Sequence, residues 1–480
     1  MKKYRTQKII VGTIISSIVL LALFFHYPIY YEDVLTLDRN SDFGVHIDFF
    51  RILFEPFLGP LLYLNRTLYP LTEIPLVLLW ILILYCVVSM IKAFRQPSGK
   101  KSRLLSILVD LPMLIGLSFT IFVIILFIPL PNNTIVNNSK DSVLVTTHSH
   151  TEFSHDGLIS QEKMWEFHKR NGFDAFFITD HAHHRKSLEF EQKQRKGTIP
   201  EHPLIMVGQE YSGSNHMSLL GLDGSFETEG MDDKSVIDAV HAHGGAVLIN
   251  HWFDGKGKDK EFYATMGVDG FEIENVGKDL YYNRTLFQEL REFCTVNELM
   301  MVGGLDFHGY GRVCSLYNAF EIPNWQHLDA NAKEKAILNI LKNGPQQKLQ
   351  ILMYKDRPFY AKSNLFFRPF LTLINYFRTL NGLQVISWVL WLLALWLTIN
   401  RKKAFFKKLK NITTPALISS LFLIILCIIY YVQGNAVAGY SDVYSEYSRL
   451  LGPIGIILFL YAGSVWYFRT SHNKKIQLKQ

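Results

Sequence analysis

His148 and His150 are separated by one residue. On a strand, residues i and i+2 face the same way, so both imidazoles can reach one metal ion. More ligand-type residues recur along the chain. Ser154-His155-Asp156-Gly157 brings a carboxylate just after the pair. Asp180-His181, Glu210, His216, His251 and Asp306-Phe307-His308 follow, each beside a short apolar run. Imidazoles mixed with carboxylates suit zinc, manganese or iron. The set is larger than one ion needs. It points to two or three divalent ions, whose shared hydroxide could attack an ester phosphorus. Arg312 follows His308 closely in HGYGR, and its guanidinium could clamp two phosphate oxygens.

The elements that must position these residues alternate. Strands are predicted at 143–147, 175–179, 204–208, 217–221, 246–250, 270–273 and 299–303, with an eighth candidate at 318–322. Helices are predicted at 161–170, 234–243, 285–293 and 331–342. Strand, loop and helix in repetition make an α/β domain. Its strands end in TTHSH, ITDH, VGQE, INH and GGLDFH. A site at so many separate strand ends favours a closed barrel over an open sheet with one switch point. Walker, dinucleotide-binding, HExxH and GxSxG motifs are absent from the sequence.

This α/β stretch is only part of 480 residues. Between 139 and 364 lie 14 of the 17 histidines, and both flanks are apolar. Charged residues make up 19% of the chain, below the roughly 25% of ordinary soluble domains, which argues against disorder. Four cysteines without a CxxC pair exclude a disulfide scaffold and disfavour a thiolate zinc site. Membrane helices are predicted at 9–25, 74–91, 107–130, 383–399, 415–431 and 451–468. The net charge of +7 resides largely beside them: Lys2, Lys3, Arg5 and Lys8; Lys92, Arg95, Lys100, Lys101 and Arg103; Arg401 to Lys410; and Lys474, Lys475 and Lys479. These are alternate connections, which places both termini in the cytoplasm and the α/β domain outside it. The lipid bilayer is thus the expected partner, and no nucleic-acid partner is expected. The division is 1–138 membrane region, 139–364 extracytoplasmic domain and 365–480 membrane region. Residues 49–70 could lie on the membrane surface or re-enter it.

The motifs HSHTEFSHDG, ITDH, VGQE, NHMSLLG, HAHGGAVLINH and LDFH resemble the polymerase-and-histidinol-phosphatase (PHP) domain of metal-dependent phosphoesterases. The resemblance spans about 140–330 and none of the apolar helices. It implies a distorted (β/α)7 barrel, here inserted between three membrane helices before and three after, with a trinuclear site. By motif, His148, His150, Glu210 and Asp306 would hold one ion. A second would share Glu210 and add His216 and His251. A third would take Asp156, His181 and His308. Trp252 departs from the proline that often follows the His251-type ligand, and His155 competes with Asp156 for the third ion.

The implied activity is hydrolysis of a phosphate mono- or diester, with His181, Arg312 and the bridging Glu210 as catalytic candidates. The alternative is a non-catalytic metal-binding sensor or transporter-associated module. Asp110, Arg378 and Glu73, near helix ends, are candidates for guiding a lipid-linked substrate. His183 and His184 could reach the site rim or lie on the surface, while His241 and His243 read as packing or surface residues. No partner can be named for His168, His202 and His327. Cys294 and Cys314 could pair or remain free thiols. Cys86 and Cys427 read as apolar fillers.

Overall fold

The computed structural model describes residues 2–67, 70–95, 100–181, 183–277, 283–312, 314–358, 364–401 and 412–477. Ten of its twelve strands make one sheet. The strands are β1 (Tyr30–Asp33), β2 (Phe43–His46), β3 (Thr134–Asn137), β4 (Ser142–Thr146), β5 (Ala175–Ile178), β6 (Leu204–Ser212), β7 (His216–Leu220), β8 (Ala246–Ile249), β9 (Gly270–Asn275), β10 (Met300–Gly304), β11 (Leu316–Glu321) and β12 (Leu349–Lys355). The sheet order is β1-β12-β11-β4-β5-β6-β7-β8-β9-β10, and β2 pairs with β3 apart from it. The central runs AFFI and AVLI are buried throughout. Strands covered on both faces read as continuous apolar stretches, as these do.

The closed seven-stranded barrel is not formed; the sheet is curled and open. β4, β5 and β6 are parallel, as are β8, β9 and β10, but β7 runs antiparallel between β6 and β8. At the other side β11, β12 and β1 extend the sheet antiparallel. No backbone ladder joins β10 to β11. The Asn318 side chain stands in for one: its Oδ1 accepts from the Gly303 N–H at 2.7 Å and its Nδ2 donates to the Gly303 carbonyl at 2.8 Å. Beyond the strand ends, Asp306 N–H donates to the His148 carbonyl at 3.0 Å and His150 N–H to the Phe307 carbonyl at 2.9 Å. The strand-end loops therefore meet although the ladder does not close.

Helices cover the outer face, and local chemistry starts them. Ser160, Asp232, Asn283 and Asp329 cap the helices Gln161–Arg170, Asp233–Ala242, Arg284–Val296 and Ala330–Asn343 with their side-chain oxygens. The helix Arg185–Arg195 was not legible in the sequence. It is almost wholly polar and buries only Ser187, Phe190 and Gln194.

Among the described residues four helices are long and apolar enough to cross a membrane: Pro70–Phe94, Leu104–Phe127, Thr413–Ala436 and Asp442–Ser471. They coincide with the spans predicted at 74–91, 107–130, 415–431 and 451–468, two before the α/β domain and two after it. The fourth predicted span belongs to a pair, Arg368–Arg378 and Gly382–Thr398, bent by 111°. The bend has a local cause. Gln384 N–H donates to the Asn381 side chain and Asn381 N–H to the Gln384 side chain, a reciprocal cap that starts a new helix. The first predicted span, 9–25, falls in the helix Lys2–Phe24, whose apolar part is Lys8–Phe24. The basic turn at 402–410 lies outside the described residues.

The helical part and the sheet are stitched together. β1, upstream of residue 139, pairs with β12. The Asn65 side chain donates to the carbonyls of Ile125 and Gly311, both at 2.7 Å, and Gly311 N–H donates to the Leu126 carbonyl at 2.8 Å. Residues 49–65 form two short helices, Phe49–Leu53 and Glu55–Asn65, which expose Phe49, Phe50 and Phe57 and bury the Arg51–Glu55 ion pair.

Candidate metal centre

All nine proposed ligands converge at one end of the sheet. Glu210, at the end of β6, lies at the middle. Its Oε1 is 3.3 Å from His148 Nε2 and 3.0 Å from His216 Nδ1; its Oε2 is 3.2 Å from both His150 Nε2 and His181 Nε2. Asp306 Oδ1 is 3.3 Å from His148 Nε2 and 3.4 Å from His150 Nε2. Asp156 Oδ2 is 3.1 Å from His308 Nε2 and 3.5 Å from His181 Nε2. His251 Nε2 is 3.6 Å from Glu210 Oε1. Three donor groups are compact: His148, His150 and Glu210; His150, Asp156, His181 and His308; and His181, Glu210 and His216.

These spacings fit divalent ions. Metal–donor bonds of roughly 2.0–2.1 Å in a tetrahedron put donors about 3.3–3.4 Å apart. The separations of the His148 and His150 Nε2 atoms from Glu210 and Asp306 oxygens, 3.2–3.4 Å, are close to that value. The opposite ring nitrogens add a second indication. His148 Nδ1 is 2.7 Å from Glu272, His251 Nδ1 is 3.3 Å from Asp254, and His308 Nδ1 donates to the Asp306 carbonyl at 2.9 Å. Protein acceptors at one nitrogen leave the other turned inward, the usual support of metal-bound imidazole.

The electrostatics agree. Burial alone would lower the His148 imidazole, but Asp306, Glu210 and Glu272 hold it well above its ordinary range. Burial likewise opposes protonated His150, yet hydrogen bonds to Asp306 and Glu210 push it up to about 10. Against burial, the surrounding histidines hold Glu210, Asp306 and Asp156 low. His181 is pushed down, chiefly by burial. Without another cation, this anionic cluster recruits protons.

The backbone is strained where the site is made. His251 and Asp306 have φ of 29° and 48°, a region non-glycine residues seldom occupy. Hydrogen bonds hold both: His251 N–H donates to Glu272 at 3.0 Å, and Asp306 N–H to His148 as described. Gly304 is needed beside them, because a Cβ there would overlap the Glu272 carboxylate.

Sequence reasoning missed Glu272, Asn250 and Asp254. Asn250 donates to Glu210 at 2.7 Å. The available signal was FEIEN: two acids alternating within a fully buried strand require partners. Arg312 lies at the edge, not in the cluster, where its Nη1 donates to the Val276 carbonyl at 2.9 Å. His155 is exposed, its Nε2 3.8 Å from Asp156. His184 bonds to Gln209 and the Asp223 carbonyl, and His168 is buried against Phe176, so both are structural. His183 packs beside Tyr440, and His241 pairs with Asp269. Cys294 and Cys314 are free buried thiols, not a disulfide. Asp110, Glu73 and Arg378 serve as ties: Asp110 to Arg469 at 2.7 Å, Glu73 to Arg368 at 3.2 Å, and Arg378 to the Phe25 carbonyl at 2.8 Å.

The family model described as the PHP domain matches residues 146–226. No curated protein matches the chain. Among solved structures, similarity is found at low identity. A two-domain protein from Bacteroides vulgatus, described as containing a predicted PHP-like metal-dependent phosphoesterase, is 18% identical with a TM-score of 0.32, over 44% of this chain and 64% of that one. The chain thus spans under two thirds of that protein. A metal-dependent phosphoesterase candidate from Bifidobacterium adolescentis is 17% identical with a TM-score of 0.29, over 35% of this chain and 88% of that one. PsfC from Pseudomonas syringae is 15% identical with a TM-score of 0.32, over 50% of this chain and 98% of that one. A PHP-like domain sits amid apolar helices, with the match beginning at the last residue of β4.

Proposed function

We propose that this chain is a membrane-associated, metal-dependent phosphoesterase that hydrolyses a phosphate mono- or diester outside the cytoplasm. The observation that carries this reading is the convergence of imidazole and carboxylate donors around buried Glu210. We assign His148, His150, Glu210 and Asp306 to one ion, Glu210, His216 and His251 to a second, and Asp156, His181 and His308 to a third. When bound, divalent ions such as zinc, manganese or iron would neutralise phosphate oxygens and acidify a water for attack on phosphorus.

The chain's own residues prepare that chemistry. Glu272 fixes the His148 ring so that Nε2 faces inward. Glu210 offers one oxygen to each side of the cluster. His181, kept neutral by burial, suits a ligand better than a proton donor. Arg312 supplies a permanent charge at the rim, placed to steady a phosphate or departing oxygen. We read residues 139–364 as the extracytoplasmic domain and the flanks 1–138 and 365–480 as its membrane regions, both termini cytoplasmic. The positive-inside pattern supports that orientation.

The test uses the full chain in lipid nanodiscs, with bound metal measured alongside hydrolysis of phenyl phosphate and bis(4-nitrophenyl) phosphate. Two or three ions per chain with metal-dependent turnover are expected. A folded chain that binds no supplied zinc, manganese or iron overturns the site. Metal uptake without hydrolysis of either ester replaces the enzyme with a binding module. Labelling of single introduced cysteines by a membrane-impermeant reagent tests the orientation; labelling of the tails but not of 139–364 in intact cells reverses it.

A further inference from the structure

A cavity of about 640 Å³ joins the metal-ligand cluster to the apolar helices. Small-molecule sites span roughly 300–1,000 Å³, so its size is that of a binding pocket. Asp306 and His308 line it at the sheet end, with Arg312 beside them. Val123, Tyr430 and Leu451 line it at the other end, from three helices long enough to span a membrane. Phe127, Tyr310 and Tyr447 also line it, packed on one another. The Phe127 and Tyr310 rings stack with centroids 5.5 Å apart, and Tyr447 meets Phe127 edge-on at 4.7 Å. Tyr310 also lies 6.2 Å from the His308 ring. Leu71 and Leu450, 71% and 50% exposed, are part of the lining and present apolar surface outward between helices.

A pocket polar and metal-binding at one end and apolar at the other matches an amphipathic ligand. Resting on the phosphoesterase reading, we propose that the substrate is a phosphate ester carried on a lipid chain, with its phosphate at the His/Asp/Glu cluster and its chain in this cavity. The exposed leucines say how it enters: sideways from the bilayer, without its chain crossing water. In the reaction, water oxygen bonds to phosphorus, the bond from phosphorus to the chain's oxygen breaks, and that oxygen leaves with a proton as the lipid alcohol. The loop holding His308 and Tyr310 is hydrogen-bonded through Gly311 to Leu126 and Asn65, so cavity and site are held in one register.

The experiment measures kcat/KM of the metal-loaded full chain in nanodiscs for methyl, butyl and octyl phosphate, all below their micelle concentrations. Each buried methylene contributes about fourfold, so burial of only two of the seven extra methylenes takes octyl over methyl beyond about tenfold. Val123→Trp and, separately, Leu451→Trp should each collapse that ratio while retaining bound metal. A flat wild-type series overturns the inference. So does a steep series unaltered in both metal-replete variants, which would report bilayer partitioning alone. Failure to hydrolyse any of the three esters, phenyl phosphate or bis(4-nitrophenyl) phosphate sinks the phosphoesterase reading itself. Hydrolysis of methyl and phenyl phosphate without chain-length preference sinks only the lipid substrate.

Discussion

The α/β domain and the helical part place apolar and charged residues in opposite ways. In the domain, Phe176, Ile178, Val247 and Ile249 point into one core and isolated ion pairs such as Arg185–Glu227 lie outside. In the helices, Leu23, Ile81, Ile428 and Ile457 face outward, while Arg51–Glu55, Glu73–Arg368 and Asp110–Arg469 lie between helices. The metal cluster is the exception within the domain: a charged interior like that of the helices, but one whose charges await cations. The difference teaches that solvent decides which way a surface faces. Lipid accepts the leucines, and polar groups there must find partners inside.

Removing the central carboxylate should give the largest effect. Glu210→Ala is expected to abolish metal binding and turnover together, well beyond the roughly 10–100-fold cost of an orienting residue. Metal analysis and phenyl phosphate turnover check it, and full activity would dismiss the assignment. Next, Glu55→Ala leaves Arg51 buried without its carboxylate. Breaking such a pair typically costs about 3–5 kcal/mol, to be read from denaturation in nanodiscs. A change below 1 kcal/mol would mean that water reaches the helix interior, and the contrast would fade.

The supporting shell should answer more modestly. Glu272→Gln keeps the size but weakens the hold on His148, so metal affinity should fall roughly 10–100-fold without unfolding. Titration with manganese and zinc measures it; unchanged affinity would make Glu272 merely a buried acid. A pH series sharpens the exception further. His150 rises from 6.5 to about 10 on folding. A raised histidine stabilises the metal-free fold fully below its unfolded value and loses that contribution as pH climbs through about 10. Thermal unfolding with chelator should therefore weaken from pH 6.5 upward, while metal-loaded protein does not follow, because metal replaces the protons. Parallel curves would show that no proton is displaced. Last, Arg185→Ala in the exposed pair should leave unfolding unchanged within error.

The two regions were also unequally legible. Helix Gln161–Arg170 was read correctly because Ser160 caps it and its apolar residues recur at helical spacing. The span predicted at 383–399 corresponds to the second helix of the bent pair; the helix before it, 368–378, escaped, since an apolar run does not reveal that Asn381 and Gln384 restart the helix. β1 escaped because its ladder partner, β12, lies more than 300 residues further along the chain. Ligand-type residues were visible at strand ends, but Glu272 was not, since nothing in FEIEN states that His148 lies opposite.

By itself the sequence determined the donor chemistry, the alternating α/β order and the presence of apolar helices. These follow from side-chain type and short-range period, which a chain carries locally. Only the tertiary structure decided that the sheet stays open at β10, that Glu272 steadies His148, and that Phe127, Tyr310 and Tyr447 pack together in the lining of one cavity. The Glu272–His148 and aromatic contacts join residues over a hundred positions apart, and packing brings them together through the summed burial of the whole core rather than through any local pattern.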